Sequence, residues 1–237
     1  MSFTRRHLIL AAVALAVVGC RKNTDRVPEH DSSGLAVADT VGLPTGMTPP
    51  RDSLAGTLAE RTEPQHFFDQ ARAAFATEDR VGAASALRQG AAYFHAIPDT
   101  ASAAVRVTLD DVERSLSALA DRLDGASAVT VRELERAFVS ANLAEAERHH
   151  ALSTIVWARR DTLRTGEELV MAVDHLERAA KDARIALGAK ATRELAAARK
   201  TGTALLARRP LGDAASVPRT QEGIGDAIRD VRARSTR

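Results

Sequence analysis

From Leu134 to Leu187 the apolar residues fall at helical spacing on either side of Arg160-Asp161-Thr162. Leu134, Phe138, Leu152, Ile155 and Trp157 precede that tripeptide, and Leu169, Val173, Leu176, Ala180, Ala183 and Leu187 follow it at alternating steps of four and three. The pattern predicts two long antiparallel helices, each with one apolar stripe, zipped together and offering a face to further helices. Upstream, Val105, Leu109, Val112, Leu116, Leu119 and Leu123 form a heptad stripe that Asp124-Gly125 ends. Thr130 with Glu133 three residues on reads as a capping box for the next helix. Earlier still, Phe67, Phe68, Ala71, Ala74 and Phe75 give one helix, Glu78-Asp79-Arg80 a tight turn, and Ala84, Leu87, Ala91 and Phe94 a second helix up to Pro98. Thr62 reads as the N-cap of the first, with Pro64 in its first turn. Downstream, Ala191, Leu195, Ala198 and Leu205 extend the stripe toward Arg208, either as one helix or divided at Gly188. Beyond Pro210, Ile224, Ile228 and Val231 mark one short amphipathic helix with Arg229, Arg232 and Arg234 beside it. The expected fold is all-α, an antiparallel helical bundle built from two or more long hairpins over residues 62–208, followed by a tail over 209–237.

The N-terminus has a different character. Arg5-Arg6 precede an apolar run from Leu8 to Val18, which ends at Gly19-Cys20. A run of about 11 residues is too short to span a bilayer, which takes roughly 20, and has the length of a signal-peptide core. From Arg21 to Arg61 the chain holds Pro28, Pro44, Pro49 and Pro50 with no sustained apolar period, and reads as a flexible linker. About 40 such residues span roughly 35 Å as a random coil.

Composition narrows the function classes. About 45% apolar residues in 237 positions suffices for one buried core. Removing Arg5 and Arg6 with the signal segment leaves 31 basic residues against 31 acidic ones. That balance lacks the electrostatic footprint of a nucleic-acid binder. Cys20 is the single cysteine, so no intramolecular disulfide exists and the compartment has to be read from the targeting segment.

Val17-Val18-Gly19-Cys20 resembles the lipobox of bacterial lipoproteins. The resemblance implies cleavage of residues 1–19, a lipidated Cys20 at the new N-terminus, and a membrane partner reached through that lipid. In a bacterium with two membranes, Arg21, where an aspartate would imply retention at the inner membrane, implies the outer membrane facing the periplasm. Thr4-Arg5-Arg6-His7-Leu8 also resembles a loose twin-arginine signal, so the export route stays open. Within the helical region, a shift of 82 residues aligns Phe75 with Trp157, Asp79 with Asp161, Leu87 with Leu169, Ala91 with Val173 and Phe94 with Leu176, as if two hairpins were copies of one unit. The first copy, Ala71 to Pro98, resembles a tetratricopeptide-like hairpin, although the offset departs from that family's period of about 34. The same stretch resembles the periplasmic YfdX family, and the region as a whole resembles uncharacterised helical lipoproteins; neither carries an activity-specific motif.

No Gly-rich phosphate loop, paired-cysteine metal motif or Gly-x-Ser-x-Gly elbow occurs in the sequence, so no enzymatic activity and no cofactor is expected. One constellation stands out. Asn142, Glu145 and His149 interrupt the apolar line of the first arm, and His149 or His150 lies about as far before the turn as His175 lies after it. Glu145 and His149, four apart, share a helix face, so Glu145, His149, His150 and His175 are the candidate metal ligands. Glu147 to His150 also contains a Glu-x-x-His of the kind found in di-iron bundles, but without a second copy. The corresponding positions of the first repeat are Phe67, Phe68 and Tyr93, which points to packing, as do Phe75 and Trp157 near the turns. The favoured reading is a lipid-anchored structural or protein-interaction module of the cell envelope with an unidentified protein partner. The rival reading is a bundle that binds a metal or small ligand through the His/Glu cluster.

Overall fold

The computed structural model describes residues 64–97, 102–125 and 127–236. The signal segment, Cys20, the linker and Thr62 lie outside the described residues. Among the described residues, seven helices are present: α1 (Pro64–Ala76), α2 (Arg80–His95), α3 (Ala103–Asp124), α4 (Val131–Ala158), α5 (Thr162–Asp182), α6 (Ala189–Leu206) and α7 (Ser216–Ser235). Successive helices pack on one another, and the architecture is an all-α bundle.

Local chemistry sets the boundaries. Thr130 and Glu133 form the reciprocal capping box expected of them: the Glu133 amide donates to Thr130 Oγ1 at 3.2 Å and the Thr130 amide to Glu133 Oε2 at 2.8 Å. Ser102 accepts from the Val105 amide at the head of α3. The helix after the central turn stops at Asp182, and α6 restarts after Gly188, which divides the stripe that runs on to Leu205.

The repeat extends well beyond the aligned side chains. Displacing the ends of α1, α3 and the start of α2 by 82 residues lands on the ends of α4, α6 and the start of α5. The two turns match bond for bond. Glu78 and Arg160 both adopt left-handed φ, 60° and 61°. Asp79 and Asp161 follow, and their amides donate to Ala74 O and Val156 O at 2.9 and 3.0 Å. Their carboxylates then cap Gly82 N and Arg164 N. At the α2–α3 and α5–α6 crossings, Ala84 and Ala120 of the first unit correspond to Gly166 and Gly202 of the second.

The two units share α4. Leu134, Ala137, Phe138, Ala141 and Ala144 enter a first core with Phe68, Leu87, Phe94, Leu109 and Leu116, while Val139, Leu143 and Ala146 enter a second with Leu169, Val173, Leu176 and Leu195. Helix α4 is therefore buried on more than one side, and the single stripe expected of it is only part of its buried surface. The second core is closed by α7, through Val217, Ile224, Ala227, Ile228 and Val231. The packing thus continues past residue 208, and the short amphipathic helix expected there is a 20-residue helix, 216–235, docked on the second core. Arg72 joins the units: it bonds Glu135 of α4 at 2.9 Å and Asp182 of α5 at 3.0 Å while its guanidinium carbon lies 4.7 Å from the centre of the Phe138 ring.

Candidate functional site

Between the two cores, where α4 faces α5, the interior turns polar: Asn142, Glu145, His149, Ser153, Thr165, Glu168 and His175 are all buried. Glu145 and His149 stand one turn apart on α4, and Glu168 and His175 two turns apart on α5, so each pair shares a helix face. The two arms bring the imidazoles of His149 and His175 into a stack with centroids 5.5 Å apart and planes 9° from parallel.

Each ring spends Nδ1 on an outer partner. In neutral His149 the Nδ1–H donates to Glu168 Oε2 at 2.5 Å, and Arg164 holds the other oxygen of Glu168 at 2.7 Å. His175 Nδ1–H donates to Asn142 Oδ1 at 3.2 Å, and the Asn142 amide nitrogen donates on to Asp182 at 3.4 Å. In the neutral rings both Nε2 atoms carry the lone pair, that of His149 against Arg148 and that of His175 without a hydrogen-bond partner among the described residues. This is the arrangement in which outer carboxylates and amides orient metal-ligating histidines. His149 Nε2 lies 3.3 Å from Glu145 Oε2. That is about the separation, roughly 3.3–3.4 Å, of two tetrahedral ligand atoms each 2.0–2.1 Å from zinc. One ligand atom from each of Glu145, His149 and His175 lies within 4.8 Å of the others, so a shift of about 1–1.5 Å in the most distant pair places all three on one ion.

Arg148 complicates this picture. Its Nη2 sits 2.7 Å from Glu145 Oε2 and 2.8 Å from His149 Nε2, on both atoms a metal would need. A guanidinium and a metal ion are mutually exclusive there, and the side chain, 13% exposed, has a path outward. His175 Nε2 has no such occupant: it is buried and without a hydrogen-bond partner among the described residues.

The electrostatics follow from these contacts. Burial pushes the Glu145 carboxyl up, but the hydrogen bond to His149 and the charge of Arg148 outweigh it and hold the pKa at about 2. Burial lowers His149, yet in the protonated ring Nε2–H meets Glu145 as Nδ1–H meets Glu168, and these bonds prevail and raise it above the ordinary imidazole value. Burial also dominates at His175 and, with the positive neighbours His149, Arg178 and Arg148, pushes it down to about 3 against the opposing charge of Glu145. His175 is consequently neutral at every physiological pH, with a lone pair directed nowhere.

Of the four expected ligands, the fold assembles Glu145, His149 and His175. His150 goes elsewhere: its ring turns toward α7, where Nε2–H donates to the Gln221 carbonyl at 2.8 Å. Sequence reasoning missed Glu168, Arg148 and Arg164, which look like ordinary surface partners at three- and four-residue spacing. The seven-residue step from Glu168 to His175 was the available signal. Phe67 and Tyr93, one unit earlier, take the places of His149 and His175 and are only half-buried. Tyr93 nonetheless reaches across to donate to Glu145 Oε2 at 3.4 Å. The chain matches no family model, no curated protein and no solved structure in these comparisons. No helix among the described residues is long and apolar enough to cross a membrane.

Proposed function

We propose that this is an exported, lipid-anchored protein of the bacterial cell envelope whose helical bundle binds a divalent transition-metal ion through Glu145, His149 and His175. The anchor reading rests on the apolar run and Gly19-Cys20 at the N-terminus, with an envelope protein as the expected partner of the helical surface. The metal reading rests on one observation above all: a fully buried neutral imidazole, His175, whose Nε2 is unpartnered and whose neighbours are a carboxylate and a second oriented imidazole. A buried polar atom left unbonded costs about 1–3 kcal/mol, and the first unit fills the same place with an aromatic ring, so nothing in the repeat demands a histidine here. Two imidazoles and one carboxylate suit zinc and its first-row neighbours, which would take a water or a ligand as the fourth donor.

Melting curves of the chain with zinc and with chelator test the site. At 100 times its dissociation constant the ion stabilises the fold by about 2.7 kcal/mol, a shift of several degrees. The shift is expected to vanish in His149→Ala and in His175→Ala. Equal melting temperatures with zinc, cobalt, nickel and chelator would leave the cluster as a polar layer that fixes the register of α4 on α5. The anchor is tested separately: Cys20→Ser is expected to leave the membrane fraction, because acyl chains contribute about 0.8 kcal/mol per buried CH₂ and the linker contributes none. Retention of that variant through a carbonate wash would contradict it.

A further inference from the structure

The end of the second unit, where the α4–α5 turn meets the C-terminus of α6, holds a cavity of about 700 Å³ lined by Trp157, Leu163 and Leu205 and by Arg160, Arg208 and Arg209. The corresponding place in the first unit is bridged by a side chain. Arg80 stands at the head of α2 and its guanidinium donates to the Leu123 carbonyl at 3.2 Å and the Ser127 carbonyl at 2.7 Å, closing α2 onto the end of α3. Displaced by 82 residues, Leu123 becomes Leu205 and Arg80 becomes Thr162, which is too short to span the gap.

The charge of the wall changes between the units as well. Glu78 and Arg160 occupy the same left-handed turn position with opposite charge, and Ser127 corresponds to Arg209. Among the described residues the side chains of Arg160, Arg208 and Arg209 meet no hydrogen-bonding or ion-pair partner. Elsewhere Arg72, Arg88 and Arg199 are each held by two or more carboxylates. The one acid of the wall, Asp161, spends Oδ1 on capping the Arg164 amide. The apolar part of the wall is substantial: Leu205 is buried, Trp157 half-buried, and Leu163 is 41% exposed although it is a large aliphatic side chain.

We propose that this cavity binds a free single-chain anionic amphiphile, a molecule with one phosphate or carboxylate head and an apolar tail. Arg160, Arg208 and Arg209 take the head, since guanidinium groups match the planar oxygen pairs of these anions. The indole of Trp157 and the side chains of Leu163 and Leu205 take the tail. The volume lies within the roughly 300–1,000 Å³ of small-molecule sites. This inference does not depend on the metal site.

Trp157 is the one tryptophan of the sequence, so the intrinsic fluorescence of the full chain reports on the cavity directly. Dodecyl phosphate, titrated below its micelle concentration, is expected to give a saturable change. Affinity should fall at least tenfold in the Arg208→Gln/Arg209→Gln double variant. The change should disappear in Thr162→Arg, which places at the head of α5 the side chain that closes the first unit. Circular dichroism melts establish that both variants fold; should Thr162→Arg fail to do so, the double variant decides alone. Four results overturn the proposal: no response to dodecyl phosphate; equal binding of dodecyl maltoside, which would assign an apolar groove; equal binding of inorganic phosphate, which would assign a simple anion site; and a response only to phosphatidylglycerol vesicles, which would assign a membrane surface.

Discussion

His175 and His149 stack face to face, yet their surroundings drive their proton affinities in opposite directions, and the stability of the metal-free protein should record both. His175 has a folded pKa of about 3 against about 6.5 when unfolded. Below pH 6.5 the unfolded chain takes up a proton that the folded site refuses, so stability falls as the pH falls, by about 1.4 kcal/mol per pH unit at full slope. His150, lowered chiefly by burial, adds to the same loss. His149 acts the other way: its folded pKa is raised, so its contribution is complete below about 6.5 and is lost as the pH rises through the folded value. In chelator, the unfolding free energy from denaturant titration is therefore expected to peak near neutrality and to drop by about 2 kcal/mol between pH 6.5 and 5. His175→Leu should remove most of the acid-side drop, and a wild-type curve flat over that interval would show that His175 takes up protons freely in the fold. This residue pair was legible in the sequence because distance from a turn is countable: thirteen positions either way put His149 and His175 level. Arg148 was not, since nothing in the sequence shows whether an arginine beside Glu145 points to water or lies across the site.

At the scale of elements, the caps and turns were readable because they are chemistry between near neighbours: Thr130 with Glu133, and the paired Asp79 and Asp161 turns. The small residues at the helix crossings were less so, because closeness of approach depends on a partner distant in sequence. A Cβ added to Gly166 would stand 2.7 Å from the Gly202 carbonyl oxygen and 3.0 Å from Leu205 Cβ, and one added to Gly202 would stand 2.8 Å from Val170 Cγ2. Helices α5 and α6 meet backbone to backbone, whereas Ala84 and Ala120 already place methyl groups at the corresponding crossing of α2 and α3. Two effects compete in Gly166→Ala. Helix propensity favours alanine by about 1 kcal/mol, while overpacking a crossing with no side chain to yield costs about 1–3 kcal/mol. Because the nearest obstacle is backbone, the second should win, and Gly166→Ala is expected to lower the melting temperature by several degrees. A neutral or higher melting temperature would mean that α5 and α6 separate without loss, and that the close approach is not a constraint.

The whole molecule is two overlapping units around α4, and its completeness depends on a segment whose sequence looks dispensable. Residues 216–235 contain Gly223 and Gly225 and four arginines, with a stripe of only Ile224, Ile228 and Val231 to mark a face. Periodicity of that length shows that a helix can form but not what it covers, so a docked helix and a tail look alike until the second core is seen. In the fold, α7 stands where a displacement of 82 residues puts residues 134–153 of α4. It does for the second unit what α4 does for the first. Val217, Ile224, Ile228 and Val231 are each at most 3% exposed. At about 1.5–3 kcal/mol per fully buried aliphatic side chain, these four represent roughly 6–12 kcal/mol before the entropy of ordering the helix. That is comparable with the whole stability of a typical domain, about 5–15 kcal/mol. Loss of α7 also removes the Gln221 carbonyl from His150 and the carboxylate contact of Arg232 with Glu147. A chain ended after Arg208 is accordingly expected to lose cooperative melting in its second unit, to bind a hydrophobic dye, and to expose Trp157, as read by a red shift of its emission. A truncated chain that melted as sharply as the full one, with unshifted tryptophan emission, would show that α4, α5 and α6 close a core without a fourth helix and that α7 only rests on it.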